Sequence, residues 1–297
     1  MTKPNFIIVG VARCGTTSLY HYLKQHPDIA FPSQKEPKYF SGRKLIFPQN
    51  GPGDKTVDSK IIIDEASYYK LFEGLDAKCV GESSSDYLYY HHITAQAIKK
   101  ELGDIPIVIS IRNPIDRAFS AYSNLIRDSR EILEFDKALD AEEKRISENY
   151  DWMWAYKKGG LYADGITEFQ STFNNVKVVL FDDLANNPSK VLGEIFDFLS
   201  VDDISENIDV SIRYSHSGKP VSKIAAILAD RNNEVVYKIR TLIMKIIPRS
   251  FLERVATEMF KKDVLDTAIK KKLVTFFEKD IKQTAKLINK DLTHWLK

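Results

Sequence analysis

The run Gly10-Val11-Ala12-Arg13-Cys14-Gly15-Thr16-Thr17-Ser18 combines two glycines five residues apart with three following hydroxyls. That spacing is the one a phosphate-binding loop needs. Glycine lets the backbone curl until its amides converge, and the first turn of a following helix adds unpaired N–H groups and a partial positive charge. In nucleoside triphosphatases a lysine directly after the second glycine reaches the β and γ phosphates. Thr16 occupies that position here, and Arg13, inside the loop, is its only cation. The charge distribution suits a shorter, diester-like phosphate without a γ group. The plainer alternative is a glycine turn with Arg13 in solvent.

A second anion site is suggested by Arg112-Asn113-Pro114-Ile115-Asp116-Arg117-Ala118-Phe119-Ser120-Ala121-Tyr122. It follows the apolar run Pro106 to Ile111, so Arg112 emerges at the C-terminal end of an expected strand, where open α/β sheets bind ligands. Ser120 lies two helical turns on and can face the same way. Taken alone, an arginine at a strand end is as often a structural ion pair as a ligand contact.

Together the two runs resemble the sulfotransferase superfamily that uses 3′-phosphoadenosine 5′-phosphosulfate. The resemblance continues through Lys35-Glu36-Pro37-Lys38-Tyr39-Phe40, Gly81-Glu82-Ser83-Ser84-Ser85-Asp86-Tyr87-Leu88, Gly160-Leu161-Tyr162, Leu180-Phe181-Asp182-Asp183-Leu184, Ser217-Gly218-Lys219-Pro220 and Asp291-Leu292-Thr293-His294-Trp295. The Lys-Glu-Pro-x-Tyr-Phe run places it nearer the bacterial and carbohydrate-type enzymes than the phenol and steroid enzymes. The resemblance implies a P-loop-like, three-layer α/β/α fold with a central parallel sheet and a helical C-terminal extension. It implies sulfuryl transfer to a hydroxyl or amine of a saccharide, glycolipid or small hydroxylated metabolite, without a metal.

The same resemblance assigns Glu36 as general base and Arg13 to the leaving side. Cys14, Gly15, Thr16, Thr17 and Ser18 join Arg13 around the 5′-phosphate, and Lys38 steadies the sulfuryl oxygens. Arg112 and Ser120 bind the 3′-phosphate, with Ser217, Gly218 and Lys219 as further nucleotide contacts. Two positions depart from the family pattern. The loop cation is usually lysine, and the lysine of the Gly-Glu-Lys-Ser-Pro run is replaced by Ser83. These departures keep a catalytically silent nucleotide-binding protein in view, while a P-loop small-molecule kinase is the other alternative. Without the family context Glu36 reads as a surface ion pair with Lys35 or Lys38, and His91 and His92 are alternative bases, although structural roles are more ordinary for them.

The elements that must position these groups follow from hydrophobic patterning. Phe6 to Val9 is a continuous apolar run, as in a parallel strand buried on both faces. Further strands are expected at Lys78 to Gly81, Pro106 to Ile111 and Val176 to Phe181. Helices are expected at Thr16 to Gln25, Ile93 to Leu102, Ile115 to Arg127, Phe135 to Asn149, Gly165 to Phe173 and Pro188 to Leu199, with helices only from Val221 onward. Residues Phe40 to Asp58 hold many turn formers and read as a long loop, of the kind that forms lids and substrate walls.

The 297 residues, 43% hydrophobic and 28% charged, are an ordinary globular composition, read as one domain over 1–297. Residues 219–297 carry 18 Lys/Arg against 9 Asp/Glu, the rest 25 against 32. A basic tail leaves peripheral membrane contact open, but a solvated lysine face is the simpler reading. No nucleic-acid partner is expected, and no pattern sets the oligomeric state. The two cysteines, Cys14 and Cys79, fit no disulfide or zinc spacing, and no apolar run reaches the length of a membrane span, so the expectation is a cytoplasmic protein.

Overall fold

A computed structural model of the chain describes residues 2–211, 219–220, 260–261 and 264–297. Strand and helix alternate through the first 200 residues: β1 (Phe6–Gly10), α1 (Thr16–Leu23), β2 (Ile29–Ala30), α2 (Tyr39–Gly42), α3 (Asp54–Asp58), α4 (Glu65–Lys70), β3 (Cys79–Ser83) and α5 (His91–Leu102). The order continues with β4 (Ile107–Ile111), α6 (Pro114–Arg127), α7 (Phe135–Asp140), α8 (Glu142–Ser147), α9 (Ala163–Thr172), β5 (Val176–Leu180), α10 (Phe181–Asn186) and α11 (Pro188–Phe198). A two-residue pair, β6 (Lys219–Pro220) with β7 (Phe260–Lys261), and the long helix α12 (Thr267–Ile288) follow, besides short 3-10 turns.

The five strands β2-β3-β1-β4-β5 form one parallel sheet. Side chains alternate across a strand, so each strand feeds two cores. Ile7, Val9, Ile107, Ile109 and Ile111 enter one core with residues of α5, α6, α9 and α12, such as Ile98, Ile115, Phe169 and Phe277. Phe6, Ile8, Val108 and Val179 enter the other, with Leu19 and Leu23 of α1 and Leu192 and Ile195 of α11. The result is the expected α/β/α layering, with a P-loop-like order of strand, loop and helix at its start. Helix α12 is tied in by Asp280, whose carboxylate accepts the Tyr162 and Ala163 amides at the start of α9 (2.9 and 3.1 Å).

Several boundaries differ from the sequence reading. Strand β3 runs two residues beyond Gly81 because Glu82 and Ser83 are buried despite their polarity. Helix α5 starts at His91 rather than Ile93. The span Phe135 to Asn149 is two helices meeting at Ala141, where Glu142 turns inward to accept the Lys157 and Lys158 amides (2.7 and 2.8 Å). Strand β5 ends at Leu180, and Phe181 opens α10. Residues 40–58 are not a loose loop: most of α2 and all of α3 lie there, anchored by the buried Asp54. Its carboxylate accepts from the Gly51 and Asp151 amides and the Trp154 indole and pairs with Arg130. After Val221 the described residues include strand β7 as well as helix.

Candidate active site

Strand β1 delivers the glycine loop to the C-terminal edge of the sheet. Gly10 has φ 135°, and a Cβ there would lie 2.6 Å from the Ser85 carbonyl oxygen, so only glycine fits between the loop and the segment after β3. Gly15, at φ 85°, turns the chain into α1. Thr16, Thr17 and Ser18 line the cleft above, whereas Cys14 is turned into the core with its Sγ 3.9 Å from the Tyr162 hydroxyl. Burial pushes that thiol up to about 11, so Cys14 offers the loop its backbone rather than a reactive side chain.

The second candidate anion site lies where β4 meets α6. Asn113 caps α6, its Oδ1 accepting from the Ile115 amide (3.0 Å), and Pro114 begins the first turn. Arg112 stacks over Phe181 at 4.6 Å and pairs with Asp116 at 3.7 Å. Its Nε is buried with no hydrogen-bond partner among the described residues, as for a group that waits for a ligand. The Arg13 side chain reaches across from the loop, its Nε donating to Ser120 Oγ at 3.1 Å. Burial, with the neighbouring Arg127 and Arg112, lowers the Arg13 guanidinium to about 9, so it stays charged at neutral pH. Arg13 therefore links the glycine loop to α6 through Ser120.

Glu36 and Lys38 sit on a turn in left-handed backbone, φ 60° and 53°. The Glu36 carboxylate pairs with Lys35 (2.6 Å) and accepts the Ser85 amide and hydroxyl (2.9 Å each). Burial works to raise its pKa, but Lys35, Lys38 and these hydrogen bonds hold it below the ordinary value, so the carboxylate is ionised at neutral pH. Lys38 is itself buried and lies 3.8 Å from Asp151; burial opposes its charge, yet Asp151, Asp86 and Glu36 hold its pKa above the ordinary value. Glu82 lies behind this turn, fully buried against the Tyr68 and Tyr87 hydroxyls, and desolvation raises it to about 8.

Arg13, Thr16, Glu36, Lys38, Arg112 and Ser120 all line one cleft of about 1950 Å³. Gly15, Thr17 and Ser18 line it too, whereas Cys14 does not. His91 and His92 open α5 and do not line it, and Ser83 is buried in β3. Lys219 contributes a backbone pairing with Lys261, while Ser217 and Gly218 lie outside the described residues. Among the described residues no cluster of His, Cys, Asp or Glu is arranged for a metal. Sequence reasoning gave no role to Ser85, Asp151 or Arg117. Arg117 is fully buried beneath the loop, donating to the carbonyls of Ala12, Ala155 and Tyr156. Its position in the Arg112 run was a usable signal; Asp151 has none, being more than a hundred residues from Lys38 in the chain.

A parallel sheet with a glycine loop at its C-terminal edge, a second arginine site beside it and an ionised carboxylate in the same cleft define a P-loop-like group-transfer protein. Residues 4–206 match the family model described as Sulfotransferase family, and the chain belongs to that family of sulfuryl-transferring enzymes. It is similar to a sulfotransferase from Alicyclobacillus acidocaldarius of solved structure, with 33% identity, a TM-score of 0.79 and coverage of 100% of both chains. It is 21% identical to human carbohydrate sulfotransferase 15, over 85% of this chain and 53% of that protein. It is 25% identical to human heparan sulfate glucosamine 3-O-sulfotransferase 3B1, over 67% of this chain and 46% of that protein. The chain thus spans about half the length of these curated relatives.

Proposed function

We propose that the protein transfers the sulfuryl group of 3′-phosphoadenosine 5′-phosphosulfate to a hydroxyl of a saccharide-type acceptor, with Glu36 as general base. The observation that carries this reading is the shared cleft, in which an ionised Glu36 faces the same space as the glycine loop and the Arg112–Ser120 site. The names of the curated relatives, carbohydrate and heparan sulfate sulfotransferases, support the acceptor class. The donor fits the residues present: two separate candidate anion sites match its two phosphate positions, and the Arg112 Nε, without a hydrogen-bond partner among the described residues, suits the 3′-phosphate. When bound, the donor supplies a sulfuryl group on a good leaving phosphate.

The chain's own groups bind, orient and move one proton. The loop from Arg13 to Ser18 holds the 5′-phosphate, Arg112 and Ser120 hold the 3′-phosphate, and the Arg13 guanidinium spans both. Fixed cations at the leaving group lower the barrier because they are already oriented when negative charge develops there. Glu36 takes the acceptor proton at a carboxylate oxygen, and Lys38, buried beside it, supplies positive charge to the sulfuryl oxygens. Calorimetric binding of 3′-phosphoadenosine 5′-phosphate, with ATP plus magnesium as competitor, tests the donor assignment. Magnesium-independent binding that is lost in Arg112→Ala supports it; a preference for ATP with magnesium overturns it in favour of a kinase.

A further inference from the structure

The base turn and the donor loop belong to segments that meet at one short stretch, residues 83–85, immediately after β3. The Ser84 amide donates to the Ile8 carbonyl (3.2 Å) and the Leu88 amide to Val9 (2.9 Å), pinning the stretch to β1. On its other side the Glu36 amide donates to the Ser83 carbonyl (3.0 Å) and the Lys38 amide to Ser84 Oγ (3.0 Å). Ser85 touches both at once. Its carbonyl oxygen fills the space that a Cβ on Gly10 would need, while its amide and hydroxyl donate to the two oxygens of Glu36. It is 5% exposed and lines the cleft.

We infer that Ser85 is the positioning residue of the reaction, fixing the Glu36 carboxylate at a set distance from the donor loop. This rests on the reading of Glu36 as base. A carboxylate on a two-methylene stem with three torsions would sample several orientations in an open cleft; two donors from one rigid residue help select one. In the Gly-Glu-Lys-Ser-Pro run that this segment resembles, the same position is proline, which has neither an N–H nor a hydroxyl to donate. The arrangement is thus a property of this chain's own serine. The charged groups around Glu36 are Lys35 and Lys38 on its own turn, Asp86 and Glu82 on the β3–α5 segment, and, behind Lys38, Asp151. Lys35 also donates to Oε1 (2.6 Å), and the Ser85 amide and hydroxyl add two donors at Oε2 (2.9 Å each).

The test compares wild type with Ser85→Ala, Ser85→Thr and Glu36→Gln in the full chain. Three quantities are read: calorimetric affinity for 3′-phosphoadenosine 5′-phosphate, the pH titration of the Glu36 carboxyl by carbon-13 NMR, and slow donor hydrolysis. In that last reaction water is the acceptor: its oxygen bonds to sulfur, the bridging S–O bond breaks, Glu36 takes the proton, and sulfate and 3′-phosphoadenosine 5′-phosphate leave. Ser85→Ala is expected to leave nucleotide affinity within twofold, lower hydrolysis about tenfold and move the Glu36 titration to higher pH, because a lost donor no longer favours the carboxylate. Ser85→Thr, which keeps the hydroxyl, restores both. An unchanged Glu36 titration and rate in Ser85→Ala overturns the proposal, as does a fall in nucleotide affinity that accounts for the whole loss of rate. If Glu36→Gln hydrolyses the donor normally, the base reading itself fails, and that result is separable from a failure of Ser85 alone.

Discussion

At the scale of single residues two neighbouring carboxylates are kept in different charge states. Glu36 is kept ionised by Lys35, Lys38 and Ser85, whereas Glu82, one strand away and surrounded by tyrosines, is pushed up to about 8 by burial. Because the Glu36 pKa is lowered, turnover is expected to hold as pH falls through the neutral range and to drop only below the ordinary carboxylate value, 4.5. Glu36→Gln should lower turnover by a factor of about 10² to 10⁴ with nucleotide affinity unchanged, measured by initial rates beside calorimetry. Arg112→Ala should do the reverse, weakening nucleotide binding by roughly 10- to 100-fold through loss of a charge-assisted contact.

At the scale of elements, the strand ends and helix caps fix where these residues emerge. Gly10 closes β1 in a backbone conformation that L-residues avoid, with the Ser85 carbonyl in the way of any side chain. Gly10→Ala is therefore expected to lower both the melting temperature and nucleotide affinity, since the loop must shift by about an ångström to admit the methyl. Asn113 caps α6 directly after Arg112. Asn113→Ala should cost about 1 kcal/mol in urea unfolding and leave the slope of the transition unchanged. These elements were largely legible from the chain, because continuous apolar runs mark β1 and β4, and proline with an asparagine before it marks the start of α6. The break at Ala141 was not legible, because Glu142 turns inward for amides supplied by residues fifteen positions away.

The whole molecule closes around polar groups that no local pattern announces. Asp54 and Arg130 form a buried pair that ties residues 51–58 to the end of α6, and from there Asp151 reaches Lys38. Removing one partner, as in Asp54→Ala, is expected to cost about 3–5 kcal/mol, read from chemical denaturation, because the arginine stays buried without its counter-charge. Glu82 gives a pH signature of opposite origin. Its folded-state pKa of about 8 lies above the ordinary 4.5, so between those values the folded protein binds a proton that the unfolded chain releases. Stability should therefore fall as pH rises through that window, and Glu82→Gln should flatten the dependence of melting temperature on pH.

The sequence by itself determined the parallel sheet, the glycine loop and the family, because each is written in short local runs of residues: apolar strand runs, the Gly10 to Ser18 spacing, and the Arg112 run that carries Ser120 two helical turns on. Only the tertiary structure decided that the Glu36 carboxylate, paired with Lys35, faces the cleft, that Arg13 reaches Ser120, and that Ser85 sits between Glu36 and the glycine loop. The physical reason is that a carboxylate's charge state and orientation are set by burial and by donors brought from distant positions. Ser85 is 49 residues from Glu36 and Ser120 is 107 from Arg13, separations across which no spacing rule operates.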